Sequence, residues 1–469
     1  MSEQNDTQIV DQIVANARKA QAKFENGACQ NRYDQAALAV GWAIMQPDRN
    51  REMAELAVQT TGLGNVPDKI TKNHRKTLGL LRDVLKAKTY GIISDDPATG
   101  ITEIVRPIGV IGAVVPSTNP IATPANNIIN ALKCGNAIVL SPSPKGIEGC
   151  ERLIGYIHAE FDKIGVDHDL VQMIPPPGTK DKTQRMLEIT DLVVVTGSQN
   201  NVRRAYTSGT PAIGVGAGNV TVIIDETADL AAAAAKIAAS KTFDNATSCS
   251  SENSLIVVDS VYDAFVAELA KNGGTTVGTD LEPHIVGRLW QKGHLAKNAI
   301  AQDADVLIQT LALEDKVPTS TKFICVETKG IGPDYPLSGE KLSRVAALYR
   351  ASDFAEATKI AANMLNHYGA GHSVGIHTGL PARAVEMGHT LPTCRVIVNQ
   401  AHCFATGGSF NNGLPFSLSM GCGSWGGNSI DENLHWKHFL NITKVVREIP
   451  TNEPSVDEVF SDYWKVAGK

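Results

Sequence analysis

Short, β-branched apolar runs that alternate with helical stretches constrain this chain more than any other feature. EIVRPIGVIGAVV at 103–115, NAIVLSP at 136–142, Val171 to Ile174 and LVVV at 192–195 each read as buried strands bounded by Gly, Pro or Asn. Between them, Ala122 to Cys134 and Gly146 to Ile164 carry apolar residues at helical spacing. Strand, helix, strand at this interval predicts a parallel sheet with right-handed crossovers, an α/β fold. A second α/β stretch begins near Asp225, with an Ala-rich helix from Ala228 to Ser240, the strand SLIVVD and a helix from Val261 to Lys271. Residues 1–90 read as helical, including an amphipathic stretch from Lys69 to Lys88.

The 469 residues suffice for two or three domains. A formal net charge of -6 offers no basic footprint for nucleic acid. No run of about eighteen apolar residues exists to span a membrane, and the polar N-terminus lacks the apolar core of a signal peptide. The 8 cysteines are scattered, without a CxxC pair or a Cys/His zinc spacing. The expectation is a reduced, cytoplasmic protein with no bound metal, whose cysteines are mostly buried small hydrophobes.

One cysteine stands apart. Cys249, in KTFDNATSCSSENSLIVVD, sits in a small polar segment between a predicted helix and a predicted strand. Backbone N–H groups there are free for an oxyanion, and a nearby helix start would lower the thiol pKa. A thiolate attacks an aldehyde carbon, and the adduct can lose hydride to a nicotinamide. Further candidates surround this reading. In DLVVVTGSQNN, a buried strand ends in Thr196-Gly197-Ser198 ahead of a helix, a place that suits a pyrophosphate, although the usual GxGxxG spacing is absent. In PSTNP, the Asn119 amide could serve a developing oxyanion or simply make an Asn-Pro turn. Gly214, Gly216 and Gly218 imply close backbone approach or positive φ; GVGAG precedes its strand and so fails as a dinucleotide loop. The glycines of MGCGSWGGNS around Trp425 imply a tight loop.

Taken in order, RPIGVIGAVVPSTNP, SPSP, TGS, PAIGVGAGNVTVIIDETADL, SKTFDNATSCSSENS, GEKLSR, GAGHS and MGCGSWGGNSIDEN resemble the CoA-acylating branch of the aldehyde dehydrogenase superfamily and the aldehyde domain of bifunctional alcohol/acetaldehyde dehydrogenases. The resemblance runs over roughly residues 10–445. It implies a Rossmann-type cofactor domain (1–226, with 419–469 as a packing tail) and an α/β catalytic domain (227–418). It implies Cys249 as nucleophile, with Asn119 and the Cys249 N–H as the oxyanion hole. Thr196, Gly197, Ser198 and Gly214 would lie near the cofactor, Ser141, Ser143 and Lys145 near its adenosine ribose, and Glu340 at its nicotinamide ribose. His372 would lie near the nucleophile, as base or as a group positioning coenzyme A. A homodimer or homotetramer is implied.

Two departures sharpen this. Hydrolytic relatives resemble ELGGK where this chain reads GVGAG, so Gly214 stands where their water-activating Glu would be. The thioester should then wait for the thiol of coenzyme A. In SPSPKG no acid follows the ribose strand, so NADP is favoured over NAD. The C-terminal segment LPFSLSMGCGSWGGNSIDENLHWKHFLNITKVVREIP further resembles acylating sulfoacetaldehyde dehydrogenases, which makes sulfoacetaldehyde the first substrate to consider. Arg203, Arg204, Lys241, Arg344 and His402 are candidates for a sulfonate subsite. Acetaldehyde or another short aldehyde, a hydrolytic dehydrogenase and a non-catalytic scaffold are the alternatives.

Overall fold

The computed structural model describes the backbone of residues 2–469 and the side chains from residue 6 onward. The helical N-terminal region resolves into Ser2–Glu25, Gln30–Met45, Pro47–Thr61 and Val66–Val84. The last two meet at a turn that the sequence specifies. Gly62 ends one helix at φ 69°, and the Asn65 side chain opens the next by accepting from the Asp68 N–H at 2.9 Å. The stretch expected at Lys69 to Lys88 is this helix, begun three residues earlier.

The predicted strands assemble into a five-stranded, all-parallel sheet in the order Val171–Met173, Ala137–Pro142, Val110–Val115, Leu192–Val195, Ala212–Gly214. The order reverses beside Val110–Val115, and parallel sheets bind ligands beyond the carboxyl ends of strands at such a reversal. Val110–Val115 and Ala137–Pro142 are buried at every position, because helices cover both faces. A seven-stranded parallel sheet follows, in the order Gly274–Val277, Phe323–Glu327, Val345–Ala351, Glu252–Val258, Val220–Ile224, Val374–His377, Val396–Val398. Separate apolar clusters flank it, one around Ile256, Ala347 and Ile376 and one around Leu255, Phe265 and Leu348. Val220–Ile224 belongs to this second sheet, so the chain crosses between sheets at 215–219, ahead of the boundary expected at 226.

A third sheet is antiparallel, with Ile101–Pro107 between Gly91–Asp96 and the late strand Leu440–Val446. The chain ends in an exposed helix, Val456–Ala467, which a capping box opens at Ser455 and Glu458. Ile442, Val445, Val446, Phe460 and Tyr463 expose their apolar side chains along this arm.

Candidate active site

The loops at the carboxyl ends of the five-stranded sheet form one wall of a cleft of about 610 Å³; the Cys249 loop forms the other. Asn119, Ser141, Ser143, Thr196, Gly197, Ser198, Cys249 and Glu340, dispersed over more than two hundred residues of sequence, all line it. Lys145, Gly214 and His372 do not. Lys145 points its ammonium at the Thr61 carbonyl, 3.2 Å away. Gly214 is covered by Val202 and Tyr206, whose hydroxyl accepts its N–H at 3.0 Å. His372 is buried, with Nδ1 2.8 Å from Ser373 Oγ, which lies 2.9 Å from His402 Nε2. Burial and Arg395 push His372 down to about 3, so it is neutral at physiological pH.

Cys249 is partly exposed to the cleft. The expectation of a lowered thiol pKa is corrected here. No helix begins at Cys249; a short 3₁₀ turn, Phe243–Ala246, precedes it and the strand Glu252–Val258 follows. Burial, then Glu340 and Cys422, push the thiol up to about 12. Glu340 is itself raised to about 8 by burial, which Lys341 and Lys241 offset only partly. Among the described residues it is the one carboxyl in the cleft lining, and at neutral pH it is mostly protonated, a poor base for activating water.

The approach to Cys249 is held from below by charges that the sequence did not single out. Asp244, Asn245 and Ala246 all have left-handed backbones, at φ 47°, 54° and 59°. Such geometry costs free energy and persists only where the surroundings enforce it. The enforcing contacts converge on the buried Asp244 carboxylate. Lys72 binds it, Lys69 Nζ lies 3.2 Å away, and the Asn65 N–H donates to it at 3.1 Å. Burial alone would raise this carboxyl, but Lys72 and Lys69 outweigh it and hold it below its usual range. Lys72 also donates to Thr247 Oγ1 at 3.0 Å and to Asn119 Oδ1 at 2.9 Å. With its carbonyl end so engaged, Asn119 keeps its NH₂ end for a ligand in the cleft, where it would stabilise negative charge on oxygen.

The cofactor wall fits a nicotinamide dinucleotide. Ser198 caps the helix Gln199–Tyr206, whose free N–H groups face the cleft region lined by Gly197 and Ser198. Ser141 Oγ bonds Thr183 Oγ1 at 2.8 Å, and the buried Ser143 hydroxyl has no partner within the protein. Among the proposed sulfonate candidates, only Arg204 lines the cleft, and it stands on this wall, donating to the Lys180 carbonyl at 2.7 Å. Lys241 is buried against the Glu252 carbonyl, Arg344 binds Asn245, and His402 binds Ser373. Sequence reading also missed Tyr368, which lines the cleft just ahead of GAGHS.

Residues 2–416 match the Aldehyde dehydrogenase family. A sulfoacetaldehyde dehydrogenase (acylating) of Cupriavidus necator is 54% identical over 97% of this chain and 92% of that one. A sulfoacetaldehyde dehydrogenase (acylating) of Bilophila wadsworthia is 38% identical over 97% of this chain and 98% of that one. Among solved structures, an acetylating aldehyde dehydrogenase of Geobacillus thermoglucosidasius superposes with a TM-score of 0.92 at 31% identity, covering 97% of this chain and 100% of the other.

Proposed function

The chain belongs to the aldehyde dehydrogenase family, and from that premise we propose that it oxidises sulfoacetaldehyde to sulfoacetyl-CoA with coenzyme A and a nicotinamide cofactor. It is a CoA-acylating enzyme of the family, as its 54% identical relative is named. The observation that carries the site assignment is the meeting of Cys249, Asn119 and Glu340 in one cleft.

Cys249 is the nucleophile. Its sulfur forms a C–S bond to the aldehyde carbon as the thiol proton is lost to solvent water, and the carbonyl oxygen takes the negative charge. Asn119 and the Cys249 N–H hold that oxygen. When bound, the nicotinamide supplies the acceptor for the hydride of the former aldehyde carbon, which leaves a thioester on Cys249. Glu340 lines the same cleft, near enough to Cys249 to raise its thiol, and would hold the ribose next to the nicotinamide. The thiol of coenzyme A then displaces Cys249, the new C–S bond replacing the old one while the proton of the coenzyme A thiol passes to the Cys249 sulfur. Hydrolysis is disfavoured, because the carboxyl of Glu340 in the cleft lining is mostly protonated at neutral pH and so a poor base for water.

The five-stranded sheet with its wall of Ser141, Ser143, Thr196, Gly197 and Ser198 is the cofactor side, and the seven-stranded sheet carries Cys249. Ser143, Lys180 and Arg204 leave this wall with hydroxyl and cationic groups and no acid, which favours NADP. The exposed apolar arm at 440–467 suits packing against a second copy of the chain, as a homodimer or homotetramer. A short neutral aldehyde is the second reading of the substrate.

The test is a steady-state assay of reduced nicotinamide with sulfoacetaldehyde and acetaldehyde, with and without coenzyme A, using NADP and NAD in turn. Turnover should require coenzyme A, give sulfoacetyl-CoA and vanish in Cys249→Ala. Sustained turnover to free acid without coenzyme A would refute it.

A further inference from the structure

The helix Val66–Val84 turns three lysines inward. Lys69, Lys72 and Lys76 are 4%, 6% and 9% exposed, although lysines are almost never fully buried unless paired. Lys69 and Lys72 share Asp244. Lys76 has no carboxylate within ion-pair distance among the described residues. Its ammonium donates to the Gly407 carbonyl at 2.6 Å and lies 5.6 Å over the Phe416 ring. Neighbouring Arg75 has no acidic partner either; it donates to Ser409 Oγ at 2.7 Å and stacks on Phe404 and Phe410, each 5.4 Å away. Among the described residues, the buried face thus holds three lysine side chains against the single carboxylate of Asp244.

Lys76 lies close enough to Cys249 for the two to interact electrostatically. A Cβ built on Gly407 would meet Lys76 Nζ at 2.7 Å and Met420 Sδ at 3.5 Å, so the two side chains flank the same point. Met420 lines the cleft together with Cys249 and Asn119. A flexible thioether side chain that lines the cleft is thus a neighbour of the Gly407 site that Lys76 occupies. Burial pulls Lys76 down to about 7, with Arg75 opposing its charge and Cys249 favouring it. An ammonium kept in such a place without a counter-ion is costly in the empty protein. An anionic group arriving nearby offsets that cost.

We propose that Lys76 is a specificity-determining residue, whose buried charge beside the cleft selects an aldehyde bearing a sulfonate over a neutral one. The inference rests on the sulfoacetaldehyde reading above. A sulfonate on the carbon next to the carbonyl cannot be far from Cys249 once the thiol has attacked. It must therefore lie at the aldehyde end of the cleft, away from Arg204 on the cofactor wall.

The experiment compares kcat/KM for sulfoacetaldehyde and acetaldehyde in the holoenzyme, in wild type, Lys76→Met, Lys76→Gln and Lys76→Arg. Ethanesulfonate serves as a competitive probe against acetaldehyde. In Lys76→Met and Lys76→Gln the ratio of sulfoacetaldehyde to acetaldehyde should fall about 30-fold, chiefly through KM, and ethanesulfonate inhibition should weaken in parallel. Lys76→Arg should retain most of the ratio. Lys76→Gln keeps a donor for Gly407 and guards against a methionine variant that does not fold. Equal loss with both aldehydes, or an unchanged ratio, would overturn the assignment while leaving the substrate reading intact. Wild-type enzyme with no preference for sulfoacetaldehyde would instead overturn the substrate reading, and this inference with it.

Discussion

Lys72 donates to the side-chain oxygen of Asn119 at 2.9 Å, from a helix that begins more than fifty residues before it. This contact engages the oxygen end of the amide and puts a cationic side chain directly against the proposed oxyanion donor. Lys72→Met should lower kcat about 10²-fold, within the range for loss of one oxyanion donor. In an Asn119→Ala background the same substitution should cost little more, because the two residues act as a unit. Lys69→Met is the structural control. It removes the other ammonium from Asp244 but leaves the Asn119 contact, and it should cost at least tenfold less. Additive losses in the double-mutant cycle would show that Lys72 supports only the fold.

Gly218 backs directly onto Cys249. A Cβ there would stand 2.3 Å from the Cys249 carbonyl oxygen and 2.8 Å from its Cβ. Neither atom can retreat without moving the nucleophile. Gly218→Ala should therefore cost about 10²-fold in kcat, as an error of about 1 Å in a reacting group does. Thermal unfolding should change far less than activity. A fully active Gly218→Ala enzyme would show that the cleft tolerates a shifted Cys249.

The thiol of Cys249 should be sluggish without cofactor. At about 12, its thiolate is a small fraction at pH 8, so the iodoacetamide rate should climb about tenfold per pH unit from 8 to 10 without a plateau. Glu340, at about 8, is neutral below that pH and charged above it. Only its ionised form repels a thiolate. Glu340→Gln should match wild type below about pH 8 and react faster above it. A plateau near pH 8 in wild type would contradict the burial assigned to this thiol.

Much of the site was legible because its residues answer to local chemistry. Strand-ending TGS, the Asn-Pro turn and a cysteine in a small polar loop each announce a ligand-facing backbone, and the structure brings all three to one cleft. The glycines of GVGAG announced close approach without saying to what; for Gly218 the neighbour is Cys249. The thiol pKa was misjudged because it depends on what surrounds Cys249 in three dimensions, with Glu340 and Cys422 both far along the chain. The lysines at 69, 72 and 76 read as one charged face of an amphipathic helix, and such a face is ordinarily solvated. Their burial depends on Asp244, Gly407 and Phe416, and no periodicity within the helix could reveal those partners.

By itself, the sequence determined the alternation of strands and helices, the parallel sheets that follow from it, and a cysteine at position 249 in a small polar loop. These depend on backbone propensity and side-chain chemistry, which each residue carries wherever it lies. The tertiary structure alone decided which titratable groups were taken out of water and what they then met: Glu340 mostly protonated, His372 against Ser373 and outside the cleft lining, Lys72 between Asp244 and Asn119, and Lys76 against the Gly407 carbonyl. Desolvation and Coulomb energy depend on distance through the folded protein, and that distance does not exist until the two sheets have closed over the cleft.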